Sequence, residues 1–272
     1  MQFFTKIKYD NISLYVDLSD WMGRFILYTS IMERIRFIVP CRISTSLTLV
    51  KKIKHLFSTV KNPVLVDVGC HIGSICLPVA REYPDSVVIG IEAHPRPANN
   101  FIKNIKLNGL SNVKLYTAAM SDTHGLVEIH ALPGNSAGSR ISGFSGRNDY
   151  PKDTKFENVI VPAITLEELW NNEKLECIDI LKIDVEGHDK FVLMSAGPRL
   201  NPEYIQCVIC EYAPESSASA SVTGWELVSY MRDAGYRCED LHRGINIDNP
   251  SDIPVLSPDN AVTDFIFFPM KA

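Results

Sequence analysis

From Ser19 onward the apolar residues Trp21, Phe25, Tyr28, Met32, Ile35 and Val39 recur at three- and four-residue spacing. That spacing predicts an amphipathic helix with these residues turned inward, Ser19 at its N-cap and Pro40 as its stop. A second helix is predicted with Leu47, Val50, Ile53 and Phe57 inward and Lys51, Lys52 and Lys54 outward, ending before Asn62-Pro63. After Pro63 the pattern changes to short apolar runs alternating with helical stretches, which argues for a parallel sheet covered by helices. Strands are predicted at Val64–Val68, Val87–Ile91, Val113–Thr117, Ile178–Asp184, Gln206–Tyr212 and Val262–Phe268. Helices are predicted at Ser74–Tyr83, Arg96–Asn108, Lys190–Ala196 and Thr223–Ala234. The expected fold class is α/β: a Rossmann-like, doubly wound sheet with helices on both faces (63–272), preceded by an N-terminal helical extension (1–62).

The alternation breaks once. Between Ala119 and Thr165, Val127–Ala131 and Asn158–Pro162 read as an added strand pair. Between them, Gly134-Asn135-Ser136-Ala137-Gly138-Ser139-Arg140 and Gly143-Phe144-Ser145-Gly146-Arg147 are rich in glycine and serine, the composition of a mobile surface loop or of a lid.

Charge divides the 272-residue chain unevenly. Residues 1–62 carry 10 basic and 4 acidic side chains, net +6, which leaves net −11 for the rest of a chain whose total is −5. An acidic main body makes a phosphate-coating nucleic-acid protein an unsuitable reading. The basic first segment admits two: a helical cap packed on the main domain, or a face touching acidic lipid head groups or a polyanion. Seven cysteines, an odd number without regular spacing, read as reduced core thiols. Cys207 and Cys210, the only CxxC, are predicted on one strand, where side chains three apart point to opposite faces and cannot share a metal. No stretch approaches the ~18 uncharged residues of a membrane span, and the N-terminus lacks the pattern of a signal peptide, so a cytoplasmic setting is expected. A homo-oligomer remains open.

Three charged strand ends carry the candidate chemistry. Val64-Leu-Val-Asp67-Val-Gly69-Cys-His71-Ile-Gly73 is an apolar strand opening through two glycines toward a helix, at the sheet edge where ligands bind. Glycines let backbone approach a cofactor without a side chain intervening. The spacing is GxxxG, neither the dinucleotide GxGxxG nor a GK[ST] phosphate loop. The next strand ends at Glu92, about twenty residues on, where an acid is suited to accept hydrogen bonds from ribose hydroxyls. Asp67 adds a carboxylate near a positive centre. A cofactor with a ribose and a cation but no phosphate is S-adenosylmethionine. The third strand ends in Lys182-Ile-Asp184-Val-Glu186-Gly-His188.

Asp67-Val-Gly-x-x-Ile-Gly73, Glu92-x-x-Pro95, Thr165-Leu-Glu-Glu-Leu169 and Lys182-Ile-Asp-Val-Glu-Gly-His188 together resemble the FkbM family of S-adenosylmethionine-dependent methyltransferases, over about Pro63 to Phe268. The resemblance implies a seven-stranded methyltransferase sheet with a reversed final hairpin, and methyl transfer to an oxygen, commonly a hydroxyl on a sugar or polyketide. It implies that Asp67, Gly69 and Gly73, with His71 between them, form the methionine-side loop, that Glu92 holds the ribose, and that Ala119, Ser121 and Asp122 lie by the adenine. Cys70-His71 departs from the Ala-Asn common in members.

Methyl transfer requires a nucleophile aligned opposite the sulfur and relieved of its proton. Asp184, Glu186 and His188 are expected nearest that event, with Asp184 by the sulfonium and either Glu186 or His188 orienting or deprotonating the acceptor hydroxyl. Glu211, ending the next strand, could close the pocket. No spacing demands a metal. Thr165 and Glu168 form a capping box pattern. Phe144, Tyr150 and Tyr212 are candidates to stack on a sugar ring. The partner is therefore expected to be a small-molecule or glycan acceptor. Two rivals stand beside this reading: a nicotinamide-dependent oxidoreductase, and a non-catalytic nucleoside-binding module on the same fold.

Overall fold

A computed structural model describes residues 4–34, 45–142, 155–213, 222–255 and 262–270. Its centre is the predicted doubly wound sheet. Strands β3 (Val64–Val68), β4 (Val87–Ile91), β5 (Val113–Tyr116), β10 (Ile180–Ile183) and β11 (Val208–Tyr212) run parallel in the order β5-β4-β3-β10-β11. Strand β14 (Thr263–Pro269) lies antiparallel beside β11, and β12 (Tyr236–Asp240) flanks β14. These seven strands include the reversed final pair that the family resemblance implies. A two-residue β13 (Ile245–Asn246) adds an eighth at the edge.

Alternation along each strand sends side chains to two cores. Val66, Val68, Ile89, Leu181, Ile183 and Phe267 pack on one face with α5 (Leu166–Glu173), α6 (Asp189–Met194) and α7 (Gly224–Asp233). Leu65, Val88, Ile180 and Ile266 pack on the other, with α2 (Thr45–Phe57), α3 (Cys76–Glu82) and α4 (Pro95–Asn108). Cys207 and Cys210 fall in opposite cores, as their spacing predicts. The Thr165 hydroxyl accepts from the Glu168 N–H at 3.0 Å, and the Glu168 carboxylate accepts from the Thr165 N–H at 2.9 Å, completing the capping box that starts α5.

Three local expectations are corrected. First, residues 1–62 are not only helical. A hairpin of β1 (Phe4–Tyr9) and β2 (Ile12–Asp17) precedes α1 (Trp21–Arg34) and buries Ile7, Tyr9, Leu14 and Val16 in the second core. Second, α1 buries the other face. Gly23, Ile26, Thr29 and Ser30 point inward, because the two hydroxyls are satisfied by carbonyls: Thr29 donates to Ile26 O and Ser30 to Lys8 O. Trp21 and Tyr28 remain 48% and 54% exposed. The helix is capped by Asp20, whose carboxylate accepts from the Met22 N–H at 3.0 Å, rather than by Ser19. Third, the segment Gly134–Arg140 is strand from Asn135 onward, with only Gly134 in a turn. β8 (Asn135–Ile141) pairs antiparallel with β7 (Gly125–Leu132), which pairs with β9 (Glu157–Ile164), and β9 lies parallel to the short β6 (Ala119–Met120). Gly143–Arg147, with Phe144, and Tyr150 lie outside the described residues.

The basic face of α2 is partly engaged within the molecule. Lys54 bridges Asp10 and Glu82 at 2.5 Å each, and Lys52 sits 5.6 Å over the Phe268 ring. No helix among the described residues is long and apolar enough to cross a membrane.

Candidate active site

The carboxyl ends of β3, β4 and β10 converge on one cleft. Strand β3 releases its chain at Gly69, which turns with φ +77°. A Cβ there would lie 1.9 Å from the Asp184 carbonyl oxygen, so only glycine lets the first loop pass this close to β10. Gly73, at φ +88°, is equally confined, but by Leu77 and Phe101 of the interior. Between them His71 adopts φ +49°, a left-handed conformation uncommon outside glycine. It is held from both sides: its N–H donates to Glu92 Oε2 at 2.9 Å, and its Nε2 lies 2.8 Å from Ser136 Oγ on β8.

Glu92, at the end of β4, also accepts from the His94 N–H at 2.7 Å. It is only 8% exposed. Burial outweighs these two hydrogen bonds and pushes its carboxyl up to about 7. Asp67 does not reach the cleft surface. It is wholly buried beneath the first loop, where Lys182 Nζ sits 3.2 Å from one carboxylate oxygen. The same ammonium lies 3.3 Å from Asp184 and 3.4 Å from the Gly69 carbonyl. Two carboxylates raise the Lys182 pKa despite burial, so the floor of the cleft carries a fixed, neutralised cation. Lys182 has no assigned role in the sequence motif. Its importance depends on the register that sets it opposite Asp67 across β3 and β10.

The turn after β10 is sharp. Glu186 takes φ +55° and Gly187 φ +94°, and this brings Asp184, Glu186 and His188 to one side of the cleft. A non-glycine residue in the left-handed region carries strain of about 1–2 kcal/mol, a feature concentrated at functional sites. His188 is buried, stacks on Phe191 at 4.6 Å, and turns Nε2 to within 3.2 Å of Ser121 Oγ. Burial lowers its pKa to about 4, outweighing nearby Asp122, so the imidazole is neutral. Ala119 lines the cleft directly. Ser121 and Asp122 stand behind His188, with the Ser121 hydroxyl donating to Asp122 at 3.1 Å.

The cleft holds about 1040 Å³ counting its open mouth. A second cavity, about 1440 Å³ counting its own open mouth, opens beside it. Asp184, Glu186 and Glu211 line both. Burial and the neighbouring Asp184, Glu186 and Asp264 carboxylates push the Glu211 pKa well up. Tyr212, a candidate for stacking on a sugar, is instead stacked on Phe265 in the core at 4.9 Å. Ser136 and Arg140 of β8 also line the first cleft. Sequence patterning missed them because their segment reads as loop. No cluster of metal-ligating side chains occurs among the described residues.

Known proteins supply the remaining comparison. NoeI of Sinorhizobium fredii, a 2-O-methyltransferase, is 27% identical over 208 residues, 71% of this chain and 83% of its own. The methyltransferase sdnD of Sordaria araneosa is 29% identical over 154 residues, 48% of this chain, which spans 60% of that relative. The METTL16 methyltransferase domain superposes with a TM-score of 0.51 at 10% identity over 93% of this chain and 82% of its own, a likeness of fold alone. The family model of the methyltransferase FkbM domain matches residues 67–238, well over half of the chain. That match begins at the buried Asp67, takes in Glu92 and the Asp184–His188 turn, and so makes the chain a member of the FkbM methyltransferase family.

Proposed function

We propose that the protein is an O-methyltransferase that moves a methyl group from S-adenosylmethionine to a hydroxyl of a sugar, glycan or polyketide-like acceptor. The observation that carries this reading is the junction of two cavities at Asp184, Glu186 and Glu211. One cavity has the features of a nucleoside site, and the other is open to an acceptor. The residues present suit the cofactor. Gly69 lets the first loop pass close against the end of β10, buried Glu92 can accept two ribose hydroxyls, and Ala118, Ala119, Met120 and Ile129 give an apolar wall for a base. S-adenosylmethionine supplies an electrophilic methyl group on a sulfonium.

The chain's own residues supply the rest. Asp184, held by Lys182, presents a fixed carboxylate where the cavities meet. Glu186 lines both cavities and is the proposed proton acceptor for the hydroxyl. His188 lines only the first cavity and directs Nε2 to Ser121, which favours a role in shaping the adenine side over deprotonation. Asp67 acts through Lys182, and Ser121 and Asp122 act through His188.

Calorimetry and transfer assays test these roles. S-adenosylhomocysteine should bind the wild-type protein, NAD should not, and Glu92→Ala should abolish binding. Glu186→Gln should spare binding and lower kcat by about a hundredfold, the range of a general base. If His188→Ala lowers kcat and Glu186→Gln does not, the base is His188. Tight NAD binding, or binding without methyl transfer to any hydroxyl acceptor, would give the protein to one of the rival readings.

A further inference from the structure

The second cavity is built in part from segments outside the family match. Trp21, Met22, Arg24 and Phe25 of α1 form one wall, and Asp264 of β14 joins the carboxylates of the floor. Trp21 and Phe25, which periodicity assigns to the interior, thus line this cavity, since α1 buries its opposite face. Trp21 and Phe25 stack at 5.2 Å with their planes 9° apart. Stacking uses one face of each ring, stiffens both, and leaves the indole 48% exposed.

The stack is also fixed to the rest of the site. The Trp21 N–H donates to the Gly134 carbonyl at 2.6 Å, and the Asp20 carboxylate accepts from both the Met22 N–H (3.0 Å) and the Ser136 N–H (2.8 Å). Ser136 in turn meets His71 of the first loop. A rigid aromatic ledge therefore faces a hydrogen-bonding floor of Asp184, Glu186, Glu211 and Asp264. The basic side chain among the cavity's described residues, Arg24, donates to the Leu18 and Ser19 carbonyls at 3.0 and 3.2 Å.

We propose that α1 is the acceptor platform: the Trp21–Phe25 stack receives the flat C–H face of an uncharged, hydroxyl-bearing saturated ring, a pyranose-type sugar, and the carboxylate floor accepts its hydroxyls. This rests on the methyl-transfer reading and deepens it. Aromatic faces present partial negative charge that suits the C–H face of such a ring. An ionised carboxylate is an acceptor only and selects hydroxyl donors, and Glu211, whose pKa is pushed well up, adds a carboxyl that can also donate. The same floor repels a uronic acid.

The test uses the full chain saturated with S-adenosylhomocysteine and three probes: a neutral cello-oligosaccharide, an oligogalacturonate and a planar naphthol. Saturation-transfer NMR reads binding, and labelled methyl transfer from S-adenosylmethionine reads turnover. The neutral saccharide should bind and accept methyl, and the other two should do neither. Trp21→Ala should raise the saccharide KM at least tenfold with kcat and S-adenosylhomocysteine affinity within about twofold, and Trp21→Phe should restore most of the loss. Preference for the acidic or planar probe, no binding of any neutral saccharide, or an unchanged KM in a Trp21→Ala protein that still binds S-adenosylhomocysteine overturns the platform and leaves the cofactor reading intact. Failure of the wild-type protein to bind S-adenosylhomocysteine overturns the cofactor reading itself.

Discussion

Glu92 makes cofactor binding a proton-linked event. Its carboxyl stands at about 7 in the cofactor-free protein against an ordinary 4.5. At 1.36 kcal/mol per tenfold change in proton affinity, that difference is worth on the order of 3 kcal/mol. The sign follows from which form the fold prefers. The raised value means that the folded state binds the proton more tightly than the unfolded chain. The contribution is therefore complete below the unfolded value and is lost as pH rises through about 7. Ribose hydroxyls donating to Glu92 favour the ionised form and reverse the preference. At pH 6 the cofactor-free carboxyl is mostly protonated, so binding should release close to one proton, and affinity should fall about tenfold per pH unit below 7. Titrating S-adenosylhomocysteine at pH 6 in two buffers of different ionisation enthalpy should give heats that differ by that proton. Glu92→Gln should bind about ten- to a hundredfold more weakly, with heats independent of buffer and affinity flat from pH 6 to 8. A wild-type protein with buffer-independent heats and flat affinity would refute the assignment of Glu92 to the ribose.

Gly69→Ala should lower urea-unfolding stability by about 3 kcal/mol or more and abolish S-adenosylhomocysteine binding, because its Cβ would meet the Asp184 carbonyl at 1.9 Å in a left-handed residue. Lys182→Met removes the cation between two carboxylates and should cost about 3–5 kcal/mol at pH 7. Asp20→Ala removes an N-cap and the tie to Ser136. It should cost about 1–2 kcal/mol in urea unfolding and raise acceptor KM while leaving S-adenosylhomocysteine affinity within about twofold.

The central strands were legible because burial on both faces makes them short apolar runs, and a charged residue lies at the ligand edge of β3, β4, β10 and β11. The hairpin at the start was legible too, with hindsight from its residues. Ile7 and Tyr9 alternate with Lys6 and Lys8, Ile12, Leu14 and Val16 alternate with Ser13 and Tyr15, and Asp10-Asn11 is a turn pair, with Asp10 at φ +49°. Strand β12 was harder, since Arg237 and Glu239 break its apolar run and only Tyr236, Cys238 and Asp240 are buried. The buried face of α1 could not be found by hydrophobicity. Thr29 and Ser30 qualify for the interior through carbonyl partners, one of which, Lys8, belongs to another element. Lys182 shows the same limit at the site. A lysine in a strand is unremarkable until pairing places it 3.2 Å from Asp67, 115 positions earlier in the chain.

Cofactor and acceptor functions differ in legibility for a physical reason. A nucleoside is held by backbone turns and strand ends, so its site demands glycines and acids at spacings set by the sheet. An acceptor wall demands only a surface of suitable shape, and any stiff element can provide one. Here α1 and β8 provide it, and His71 ties it to the cofactor side. His71 is held in a left-handed conformation by Glu92 on the cofactor side, and its imidazole reaches Ser136, whose N–H meets Asp20 at the start of α1. The conformation costs about 1–2 kcal/mol, comparable to the hydrogen bonds that offset it. Movement of the first loop on cofactor binding therefore has a direct route to the Trp21 ledge. An acceptor bound on that ledge should tighten cofactor binding by the same factor as the cofactor tightens acceptor binding, since coupling between two bound ligands is reciprocal.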